Sequence, residues 1–289
     1  MLPRQPYCYK NGMHPAYLSP TCRERGTQGG KCHTSIPVHS VKENKDSVIV
    51  NQDEKGWEVI YHRAHALLAA QLAGHWKKEN SPVRLYETIA AISHHDDLEK
   101  EWEENQLTPA GTPLDFTLDP STSLDKLREM TKNALYRGRW VALLISKHMS
   151  FLNEGKRGES AEMDRFLDEQ LEHQEHWRKD LKLTKKDVED AYAFMQMFDR
   201  LSLILCQRHL PVGERALEIA KGPSGKRYDV VQMNDGKVTV KPWPFEPEPF
   251  TVNIEAISLE QVTFKDNTEL TQALQKAPIK VLEWTFVQS

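Results

Sequence analysis

Between about residues 62 and 209 the apolar residues recur with a helical period, and after Pro211 that period is lost. Five stretches carry the helical pattern. The first, HRAHALLAAQLAGHWKK, and the second, RLYETIAAISHHDD, are rich in strong helix formers. The third runs from Leu124 to Leu152, with a break expected near Gly138. The fourth, AEMDRFLDEQLEHQEHWRKDL, is so charged that most of its surface must face water. The fifth opens at Thr184, with Asp187 placed to complete a capping box.

The flanking segments read as strand. VIV, the turn DEKG and WEVIY form a short N-terminal β-hairpin, and Asp-Gly within YDVVQMNDGKVTVKPW signals another. FTVNIEAISL and IKVLEWTFV read as further strands, with a short helix around TELTQALQKA. The division expected is an extension over 1–45, a helical domain over 46–211 and a β-rich domain over 212–289. The fold class expected is mainly α: a helical unit of about 165 residues followed by a smaller β-rich unit of about 75.

Composition narrows the function. A formal net charge of -4 argues against a nucleic-acid groove, which needs a basic face. No run of about 18 apolar residues offers a membrane span. The N-terminus lacks the apolar core of a secretory signal, and the cytoplasm is the expected compartment. Cys8, Cys22, Cys32 and Cys206 form no CxxC pair, so neither a disulfide framework nor a zinc module is expected. GPSGK is too short in spacing to be a P-loop and reads as a turn.

The chemistry lies in polar residues on apolar stripes. His65 aligns with Leu68, Ala69, Leu72 and Trp76, whereas His62 and His75 fit that stripe less well and are expected at an edge or in solvent. His148 aligns with Val141, Leu144, Phe151 and Leu152. Asp199 aligns with Tyr192, Met195, Leu203 and Cys206. A lone buried carboxylate is costly unless a cation or hydrogen bonds compensate. Taken singly, each residue has an ordinary explanation: a bonded core histidine, a pairing of Asp199 with Arg139 or Arg200, or a solvated helix end at ISHHDDL. Together they point to a site for a divalent transition metal (Fe, Mn, Zn, Co or Ni), with one or two ions.

His65, His95-Asp96 and Asp199 in FDRLSLIL resemble the H…HD…D signature of the HD-domain superfamily, helical metal-dependent phosphohydrolases and their relatives. His148 matches the place where two-metal members supply extra histidines. More narrowly, HRAHALLAAQLAGHW, AAISHHDD, LTPAGTPLDF and LLISKHMSF look like the bacterial DUF3891 family, over residues 47 to 210. The resemblance implies an HD-domain-like helical bundle and a metal-dependent hydrolase, acting first of all on a phosphoester. His65, His95, Asp96 and Asp199 would hold one ion, with His94 able to replace His95. His148 would support a second ion or take part in catalysis. Asp97 would serve as general base or orient a ligand. Arg139, Lys147 and Arg137 could contact phosphate, although a solvated basic helix face accounts for at least two of them. The partner expected is a small, phosphorylated substrate. Pro242, Trp243, Pro244 and Phe245 could cover a pocket or a homodimer interface, or anchor a loop. Two other readings stand beside this one: a di-iron oxygenase on the same fold, and a non-catalytic scaffold or ligand-binding protein.

Overall fold

The computed structural model describes residues 48–97, 106–118 and 123–289; the expected extension over 1–45 lies outside them. The chain enters as a hairpin, β1 (Val48–Gln52) and β2 (Trp57–Tyr61). β2 runs without a break into α1 (His62–Gly74). α2 (Leu85–His94), α3 (Leu124–Ala134), α4 (Arg139–Asn153), α5 (Ala161–Asp180) and α6 (Lys185–Cys206) follow. The chain then forms β3 (Leu217–Lys221), β4 (Arg227–Gln232), β5 (Val238–Lys241), β6 (Phe250–Leu259), α7 (Asn267–Lys276) and β7 (Ile279–Phe286).

Local sequence explains the helix ends. Gly138 adopts φ 110, a conformation other residues rarely take, and it separates α3 from α4. Thr184 and Asp187 form the reciprocal capping box at the start of α6. Such a cap contributes roughly 1 kcal/mol.

The expected mainly-α bundle with a small β unit is not what forms. All the strands of the described residues join one seven-stranded sheet, in the order β1-β2-β6-β7-β5-β4-β3. Neighbours pair antiparallel except β5 and β7, which are parallel. The N-terminal hairpin is therefore no appendage of a helical domain. Trp57, Glu58 and Val59 pair with Leu259, Ser258 and Ile257 of β6. A Cβ on Gly56 would collide with the Leu259 carbonyl, so the hairpin turn must approach β6 closely. The architecture is a mixed α/β layer in which sheet and helices share one core, not an HD-like bundle.

The physical reason is mutual cover. β6 alternates over its first half, with Val252 and Ile254 buried between exposed Thr251, Asn253 and Glu255, and Ala256 continuing the buried face. That apolar face meets the stripes of α1 and α6 in a single cluster containing Leu68, Leu72, Phe198, Leu201, Val240, Val252 and Phe286. Phe245 is fully buried in the same cluster, in ring contact with Trp76, Phe198 and Phe286. A second cluster packs Leu270 and Leu274 of α7 against Val59, Ile257 and Leu259. Burying a Leu or Phe side chain of this kind contributes about 1.5–3 kcal/mol. Among the described residues no helix is long and apolar enough to cross a membrane.

Candidate metal centre

α1 begins at the sheet edge, so its first turn is held in place by β2. His62 and His65 are three residues apart and share one face of that turn. His65 is fully buried, and the two rings lie 4.7 Å apart. α2 ends at His94, and His95 and Asp96 follow in the turn after it. Within a continuous helix, adjacent side chains diverge by about 100°. Because the helix stops, both side chains turn to the same point: His95 Nε2 lies 3.1 Å from Asp96 Oδ2. α6 brings Asp199 Oδ1 to 3.2 Å from the same nitrogen. α4 contributes buried His148, its ring 5.1 Å from that of His95.

The hydrogen bonds determine which nitrogens carry lone pairs. His95 Nδ1 lies 2.6 Å from the Ile92 carbonyl, which can only accept, so Nδ1 carries the hydrogen. In the neutral ring, Nε2 is then a lone pair aimed at two carboxylates. Among the described residues this nitrogen is buried and has no hydrogen-bond partner. His65 follows the same logic. Ser202 Oγ donates to the Asp199 carbonyl at 2.8 Å, so it accepts from His65 Nδ1–H at 3.0 Å. In that tautomer His65 Nε2 presents its lone pair to Asp96 Oδ2, 2.6 Å away; in the other, with Ser202 Oγ–H turned to Nδ1, Nε2–H donates to Asp96. At His95 acceptor faces acceptor, which is stable only with a cation, proton or metal, between them.

The charges agree. Burial opposes charge on His95, but Asp96 and Asp199 outweigh it and hold its pKa well above the usual imidazole value. Burial would raise Asp96, yet His95, His62 and His65 hold it well below the carboxylate range. Asp199 is also depressed, His95 overcoming the effect of burial. His65 is pushed down by burial, against its bond to Asp96. His148 is pushed by burial and by neighbouring His95 to about 4, so it is neutral at pH 7. Its Nδ1 lies 3.3 Å from the Tyr192 hydroxyl. Among the described residues, no lysine or arginine lies within 4.0 Å of the Asp96 or Asp199 carboxylates.

Three overlapping triads result: His62-His65-Asp96, His65-His95-Asp199 and His95-Asp96-His148, each with its donor atoms within 4.8 Å of one another. Nitrogen and oxygen donors about 2.1 Å from a common ion lie at most about 4.2 Å apart. A contraction of a few tenths of an ångström would suffice, and the overlap leaves room for one ion or two.

His65, His95, Asp96, His148 and Asp199 are thus brought together. His94 is not among them; it turns outward to Asp97 at 2.9 Å. Asp97 also meets Arg137 at 3.2 Å and Arg63 at 3.5 Å, away from the His95 nitrogen. Arg139 lies on the outside beside Asp180 at 3.6 Å. Lys147 pairs with Glu189 at 2.8 Å, its ammonium over the Tyr192 ring. Two members escaped the sequence reading. His62, expected at an edge, lies 3.5 Å from Asp96 with Nε2 buried and unpartnered among the described residues. Its three-residue spacing from His65 was the available signal. Ser202, three residues beyond Asp199, orients His65.

No curated protein and no solved structure matches the chain. A family model described as "Protein of unknown function (DUF3891)" matches residues 48–261. The chain belongs to the DUF3891 family.

Proposed function

We propose that the His/Asp cluster binds one or two divalent transition-metal ions and that the protein is a metal-dependent hydrolase of a small phosphoester. The observation that carries this reading is His95 Nε2, buried 3.1 Å from Asp96 and 3.2 Å from Asp199, two carboxylates with no lysine or arginine within 4.0 Å among the described residues. Imidazole and carboxylate donors suit Fe, Mn, Zn, Co or Ni. A bound divalent ion supplies Lewis acidity, polarising a phosphoryl oxygen and acidifying water.

The chain's own groups have separate tasks. His65, His95, Asp96 and Asp199 hold the ion. His148, neutral at pH 7, and His62 each offer a ring nitrogen at the two flanks of the cluster, where a second ion or a substrate oxygen would sit. The Ile92 carbonyl and Ser202 fix the ring orientations, as groups behind metal-bound histidines commonly do.

Hydrolysis of p-nitrophenyl phosphate and bis-p-nitrophenyl phosphate tests this directly. Turnover should require added Mn, Fe, Zn, Co or Ni, and Asp199→Ala should abolish it with the circular dichroism spectrum unchanged. Oxygen uptake by an iron-loaded protein, without ester hydrolysis, would replace hydrolysis by oxygen chemistry at the same site. Metal-bound protein with neither activity would contradict the hydrolase reading.

A further inference from the structure

We infer that a pocket beside the metal centre, lined by Arg63, His94, Asp97, Asn133, Tyr136 and Arg137, binds the phosphate group of a small molecule. Naming that molecule the substrate rests on the hydrolase reading; the anion site itself does not.

Position is the first argument. Arg63 follows His62, and His94 and Asp97 flank His95-Asp96. Consecutive Cα atoms are about 3.8 Å apart, so the pocket wall and the metal cluster are built on the same two backbone segments. Side chains facing one way make the cluster, and their immediate neighbours line the pocket. Ile145, one turn before His148 on α4, closes another side.

Charge is the second. Among the described residues, two permanent guanidinium cations meet a single carboxylate: Arg63 Nε lies 3.5 Å from Asp97 Oδ1, and Arg137 Nη2 lies 3.2 Å from Asp97 Oδ2. Across these three groups one unit of positive charge is left over. Asp97 engages one edge of each guanidinium and leaves other N–H groups for a ligand. Asp97 is thus a positioning residue, holding two planar forks that match phosphate oxygens. Both arginine side chains are more than a third exposed, so a solute can reach them. The pocket volume of about 440 Å³ suits a small phosphorylated molecule.

The test is calorimetric titration of the full-length protein with inorganic phosphate at fixed ionic strength, as purified and after chelator treatment. Wild type should bind phosphate in both states. Arg63→Gln and Arg137→Gln should each weaken binding about tenfold or more, the loss expected for a hydrogen bond to a charged group. The lysine variants should fall between, and Arg139→Gln, on the outer face beside Asp180, should match wild type. No phosphate binding, or equal binding by both glutamine variants, overturns the inference. If binding needs metal and ignores both arginines, the anion sits on the metal: the pocket falls and the hydrolase reading stands. If the arginine variants lose phosphate in a protein that takes up no metal, the anion site stands and the hydrolase reading falls.

Discussion

His94-His95-Asp96-Asp97 contains the same two residue types twice, and the inner and outer pairs have opposite surroundings. His95 and Asp96 are buried, with side chains 0% and 9% exposed, and lie among imidazoles, the Asp199 carboxylate and the Ile92 carbonyl. His94 and Asp97 are 34% and 27% exposed; they bond each other, and Asp97 meets Arg63 and Arg137. Residue type alone does not make a metal ligand. Two arginines and His94 surround the outer carboxylate, so nothing there calls for a further cation. Among the described residues the inner carboxylates have no lysine or arginine within 4.0 Å, and the Nε2 atoms of His65 and His95 lie against them. The helix end at His94 produces this split by sending neighbouring side chains in opposite directions.

Exchanging carboxylate for amide in each pair should break the symmetry most sharply. Asp96→Asn should lose the metal, with affinity reduced by at least about 100-fold, whereas Asp97→Asn should retain it. Equilibrium dialysis with Zn or Mn measures both. Ser202→Ala should have a smaller effect on the inner pair, weakening metal binding by roughly 10–100-fold because His65 loses the acceptor that fixes its ring. Chelation gives a third contrast. It should lower the thermal unfolding midpoint of wild type and of Asp97→Asn alike and leave that of Asp96→Asn in place, since only a ligand bound to the folded state stabilises it. The smallest effect belongs to the outer pair. Asp97→Asn should destabilise the fold by less than about 1 kcal/mol in urea titration, because partly exposed ion pairs contribute little.

Much of this was legible in the chain. The apolar stripes located the helices, and the same stripes exposed His65, His148 and Asp199 as residues pointing the wrong way for solvated groups. The sheet was not legible as one sheet. Trp57–Val59 pair with Ile257–Leu259 across most of the chain, and a local hydrophobic period carries no record of a partner so distant. Each strand was recognisable, but the hairpin and the C-terminal strands looked like separate additions to a helical core. His62 was missed because it opens α1, where one turn is too little for a stripe to define a face. Ser202 was missed because a serine on an apolar stripe draws no attention until its hydrogen-bond partners are seen. Arg63 is not among the residues the sequence singles out; only the fold brings it to Asp97 opposite Arg137.

The central claim concerns the inner pair, and metal stoichiometry tests it most directly. Wild type, Asp96→Asn and Asp97→Asn would be purified without chelator or metal-binding tag and analysed by inductively coupled plasma mass spectrometry. The account predicts bound transition metal in wild type and Asp97→Asn and its loss in Asp96→Asn. No metal in wild type, with none taken up from added Mn, Fe, Zn, Co or Ni, would contradict it and leave the cluster as a proton-sharing element of the core.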